Sequence, residues 1–135
     1  MSAIANVILA DGQSTPANHT FVPVNPQQGT VPAKWNEKTA STLQGYLPLT
    51  LRVTKMSQDT RVTARLEVPI LASIPSNCCD PTNVPKVAYT VLGEVTFRLP
   101  DVATLQDRKN ILAYIKNFLA TSVAVNAVEN LETVW

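Results

Sequence analysis

Arginine and threonine alternate with apolar residues through two neighbouring stretches, and these are the residues best placed to do chemistry. In 47–56, Thr50, Arg52 and Thr54 alternate with Leu49, Leu51 and Val53; in 60–71, Arg61, Thr63, Arg65 and Glu67 alternate with Val62, Ala64, Leu66 and Val68. Successive strand side chains point to opposite faces, so the two runs, joined by Ser57-Gln58-Asp59, predict a hairpin with one apolar and one polar face. The polar face sets three arginines against one glutamate. Guanidinium and hydroxyl groups on a flat strand surface suit the phosphates and base edges of a nucleic acid. An antiparallel sheet with a merely solvated outer face has the same pattern, and periodicity does not separate the two.

Other candidate chemistry is thin. His19 is the single histidine and has no cysteine near it in sequence, so it reads as a surface residue rather than a metal ligand or a base for a nucleophile. Asp59, Asp80, Asp101, Asp107, Glu129 and Glu132 are scattered through turns, loops and helix ends and assemble no acid–base pair. There is no glycine-rich phosphate loop, so neither an enzyme nor a metal or cofactor is expected. Cys78 and Cys79 are adjacent, which rules out a C-x-x-C metal site and makes a bond between the two strained. They suit bonds to cysteines of other subunits, two per subunit being enough to close a ring; a pair of free thiols in a reducing cytosol is the alternative.

The elements that must position these residues follow from the same patterns. Val7 to Leu9 and Phe21 to Val24 predict an N-terminal hairpin with a loose turn, 25–29 a loop, and the stretch holding Trp35 and 43–46 one further strand. After the central hairpin, 72–85 is rich in Ser, Asn, Asp and Pro and reads as a long exposed loop. Residues 86–99 predict a long strand with a bulge near Gly93. From Thr104 the period becomes helical: Thr104 and Asp107 resemble a capping box, and Ile111, Leu112, Ile115, Phe118 and Leu119 share one stripe. Thr121-Ser122 caps a second short helix. Strands first and helices last is an α+β plan with an antiparallel sheet.

At 135 residues the chain suits one domain, and 45% apolar residues suffice for a core. A net charge of +1 means that any nucleic-acid binding comes from a local patch rather than bulk charge. No run nears the ~20 apolar residues of a membrane span, and the start lacks a signal-peptide pattern, so a soluble cytoplasmic product is expected. One amphipathic helix and a short second one are modest cover for such a sheet. A dimer in which the helices of one copy lie over the sheet of the other satisfies the pattern better than a monomer does.

The order of elements, with Arg65-Leu66-Glu67-Val68-Pro69, Pro85-Lys86-Val87-Ala88-Tyr89-Thr90, Glu94-Val95-Thr96-Phe97 and Leu119-Ala120-Thr121-Ser122, resembles the coat proteins of single-stranded RNA bacteriophages, the levivirus type. The resemblance is best from Trp35 onward. It implies one coat-protein domain over 1–135: an N-terminal hairpin within 1–28, a five-stranded antiparallel sheet within 33–100, and two helices within 103–133 that interlock in a homodimer. Dimers would assemble in the host bacterial cytoplasm into an icosahedral capsid around the genomic single-stranded RNA. A replicase-start hairpin would be a further RNA target in translational repression. No membrane and no small-molecule substrate is implied.

Carried over by position, the resemblance places RNA contacts at Thr50, Arg52, Thr54, Arg61, Thr63 and Arg65. Arg65 stands for a lysine, which keeps a phosphate-binding role and can change the base preferred. The family's stacking tyrosine falls at Thr90, unless Tyr89 serves through a local shift, so both are further expected RNA contacts; its asparagine falls at Leu92, and these departures bear on hairpin specificity. The loop 73–84 corresponds to the one that gathers at the symmetry axes of the shells, so Cys78 and Cys79 are expected to form intersubunit disulfides. A dimeric RNA-binding regulator that never assembles is the competing reading.

Overall fold

The computed structural model describes residues 2–72 and 85–135; Cys78 and Cys79 lie outside the described residues. Six strands, β1 (Val7–Ala10), β2 (Asn18–Asn25), β3 (Ala33–Glu37), β4 (Leu47–Lys55), β5 (Asp59–Leu71) and β6 (Val87–Pro100), form one sheet in sequence order. Two helices follow, α1 (Leu105–Leu119) and α2 (Ser122–Glu129). The chain divides into a sheet unit up to Arg98 and a C-terminal unit, Leu99–Trp135.

The predicted separate hairpin and five-stranded sheet are instead one six-stranded sheet. β1 covers one edge of β2, and β2, twice as long, offers its other edge to β3, with Phe21 opposite Glu37 and Val22 opposite Asn36. The register shifts between Pro23 and Asn25, where a proline without an N–H interrupts the ladder. Of the stretch expected to hold one strand, residues around Trp35 form β3, while Leu43–Gly45 is a 3-10 turn. That turn is tight: a Cβ on Gly45 would stand 2.6 Å from the Ala40 Cβ. β6 continues as a strand through Gly93, where a bulge was expected.

Side-chain hydrogen bonds close places the ladder leaves open. The Asp11 carboxylate closes the β1–β2 loop by accepting from the backbone of Ala17 at 2.9 Å and of Gln13 at 3.3 Å. The Gln27 amide donates to the Val53 carbonyl at 2.6 Å and accepts from the Val53 N–H at 2.8 Å. Val53 lies beyond the last β3–β4 pair, Ala33 with Leu51, so Gln27 supplies the partner that β3 is too short to give. Trp35 Nε1 donates to the Ala5 carbonyl at 2.8 Å, tying the N-terminal segment over the sheet.

Few apolar side chains are buried among the described residues: Phe21 and Trp35 in the sheet unit, and Ala124 in the C-terminal unit. Leu51, Val53 and Val91 remain exposed on the sheet, and α1 buries no residue at all. The predicted stripe on α1 forms as a helix, with the Thr104–Asp107 capping box intact, but Ile111, Leu112, Phe118 and Leu119 are exposed and Ile115 half-buried.

Candidate nucleic-acid interface

Residues directly opposite in an antiparallel ladder share a face, so the register assigns the polar surface residue by residue. Thr50 pairs with Arg65, Arg52 with Thr63, and Thr54 with Arg61. All six line one shallow groove of about 390 Å³, together with Pro32, Met56 and Glu94. β6 closes its far side, with the Thr63 and Thr96 hydroxyls 3.4 Å apart.

The cations are in different states. Arg65 is held by Glu67, Nη2 to Oε1 at 2.8 Å, and its carbonyl accepts weakly from the Thr50 hydroxyl at 3.4 Å. Arg52 has its Nε buried with no hydrogen-bond partner among the described residues. A buried donor left unpaired costs about 1–3 kcal/mol, which a phosphate or base acceptor entering the groove would relieve. Arg98 is paired outside the groove with Asp59 at 2.5 Å.

Thr90 and Tyr89, both on β6, do not line the groove. Strand alternation puts Thr90 with Glu94 and Thr96, and Tyr89, 61% exposed, on the opposite face. Lys34 escaped the sequence reading although it belongs to the polar face, paired with Thr50. Its signal was the alternation of Lys34 and Asn36 around Trp35, too short in a five-residue strand to stand out.

His19 is not the isolated surface residue its sequence context suggested. On the other face of the sheet, its Nε2 lies 3.2 Å from Asp11 Oδ2 and its Nδ1 3.6 Å from Glu37 Oε1. Glu37 is buried and also accepts from the Thr39 N–H at 3.1 Å and from the Thr39 hydroxyl. The hydrogen bond to Asp11, then the charge and hydrogen bond of Glu37, raise the His19 pKa, against some loss of solvent. The backbone N–H of Ala17 leads in lowering the Asp11 pKa. With a carboxylate beside each ring nitrogen, His19 is engaged on both sides, and the cluster joins the β1–β2 loop to β2 and β3.

The family model of the levivirus coat protein matches residues 2–135. The chain belongs to the levivirus coat protein family. Among solved structures of this kind, the virus-like particle of bacteriophage NT-214 is similar over 99% of this chain and 100% of that one, at 48% identity and a TM-score of 0.94. That of bacteriophage ESE058 matches with the same coverage at 29% identity and a TM-score of 0.89. The bacteriophage GA protein capsid, 19% identical with 95% of each chain covered and a TM-score of 0.73, shares the levivirus coat fold. No curated protein matches the chain.

Proposed function

We propose that this levivirus coat protein is a structural capsid subunit, which dimerises, assembles into an icosahedral shell and binds single-stranded genomic RNA on the Arg/Thr face of its sheet. The observation that carries the capsid role is the whole-chain likeness, at 48% identity, to a protein solved as a virus-like particle. The two faces of the sheet support the finer parts. One carries Thr50, Arg52, Arg61, Thr63 and Arg65 in a single groove; the other, like the α1 stripe, leaves apolar residues in water. Exposed apolar residues on these two elements suit an interface, and the α1 stripe of a second copy supplies the complementary cover for the sheet. β6 stands at the end of the strand order, so its outer edge is open to pair with β6 of that copy and join the two sheets. Repression at a replicase-start hairpin, by the same groove, belongs to this reading, as does assembly in the bacterial cytoplasm.

Electron microscopy of the chain expressed alone in bacteria, with absorbance at 260 and 280 nm on the same fraction, tests it. Uniform closed particles containing nucleic acid are expected. RNA-bound dimers without particles would favour a regulator, and particles without RNA would remove the groove's role.

A further inference from the structure

We propose that the RNA-contacting surface extends off the central hairpin onto β3, where Lys34 holds a backbone phosphate. The proposal rests on the RNA-binding reading of this face. Lys34 pairs with Thr50, and Thr50 with Arg65, so the three form one row across β3, β4 and β5, with Asn25 of β2 opposite Lys34 on its other side. Neighbouring strands are about 4.8 Å apart, which sets Lys34 and Arg65 roughly 10 Å apart with a hydroxyl between them.

Three observations separate Lys34 from an ordinary solvated lysine. β3 is an interior strand, flanked by β2 and β4, so the lysine does not protect a sheet edge. Its position is half-buried, and it makes no hydrogen bond or ion pair with a described residue. Glu67, the acid nearest along this face of the hairpin, is already engaged by Arg65. Lys34 is thus a cation in the middle of a sheet, among uncharged cross-strand neighbours, with no compensating partner among the described residues. A polyanion laid across the strands supplies the missing partner. Two residues along the same face, the Asn36 Oδ1 is buried with no partner among the described residues, an acceptor beside the phosphate for a ribose hydroxyl or a base amine.

The test is fluorescence anisotropy of the full chain, kept below its assembly concentration, with a labelled single-stranded RNA and a labelled RNA hairpin over a range of salt. Lys34→Gln, which keeps most of the stem, is expected to weaken both RNAs by roughly fivefold at low salt and to lower the salt slope by about 0.7, one phosphate contact on a single strand. Lys34→Arg should restore both values. Unchanged binding in Lys34→Gln, alongside a clear loss in Arg65→Ala, would overturn the proposal and leave the RNA-binding face standing. If neither variant alters binding, the reading of the face itself fails and the proposal with it. Equal losses in Lys34→Gln and Lys34→Arg, accompanied by lower thermal midpoints, would mark Lys34 as structural and also overturn it.

Discussion

Arg65 and His19 sit on opposite faces of the same sheet and divide its residue-scale chemistry. Arg65→Ala is expected to weaken binding of single-stranded RNA and reduce its salt slope by about 0.7 while dimers persist on size exclusion. Its contact with Glu67 is partly exposed and adds little to stability, so folding should be nearly unaffected. His19 acts on stability instead. Because its pKa is raised in the fold, its contribution is fully present below the unfolded value and is lost as pH rises through the raised folded one. Asp11, held low, contributes above its unfolded value and loses that contribution as pH falls through the lowered one. The β1–β2–β3 contact is therefore strongest in mildly acidic solution. Thermal midpoints of the wild type should fall more between about pH 6 and about pH 8 than those of His19→Gln; parallel profiles would show that the cluster does not titrate.

Single side chains complete whole elements, and the cost of removing them depends on what remains unpaired. Gln27→Ala deprives Val53 of both backbone partners beyond the end of β3, and a loss of about 1 kcal/mol by chemical denaturation is expected because water can reach the freed groups. On α1, Phe118 is 55% exposed in the single chain. Phe118→Asp should therefore leave the fold largely intact and break the dimer, because a charge would be buried in the contact between copies. Monomers with native circular dichroism are the expected readout; a stable dimer would place the interface elsewhere. The helices were legible before the structure because a capping box and an apolar stripe are local signals. β3 was poorly legible because five residues carry too little periodicity, and its place is fixed by Trp35 opposite Leu49 and Pro23.

On the proposed reading, the two faces of the sheet answer to different partners. The apolar residues exposed on the sheet and those along α1 would take a second copy, and the groove a polyanion. Covalent linkage would add to this assembly if Cys78 and Cys79 bond between subunits. Purified particles are then expected to run as multimers on non-reducing gels and as monomers after reduction; monomers in both lanes would exclude such bonds.

The sequence by itself determined the alternation of 47–71, the helical stripe and its caps, and the small net charge that would confine any nucleic-acid binding to a patch. These are short-range patterns, readable because side-chain direction repeats every two residues in a strand and every 3.6 in a helix. Only the tertiary structure decided which residues stand opposite one another. Pairing between strands joins residues distant in sequence, and so it set Lys34 beside Thr50, enclosed His19 between Asp11 and Glu37, and merged the N-terminal hairpin into the main sheet. Those contacts depend on register and on the lengths of neighbouring strands, properties of pairs that no single stretch of sequence contains.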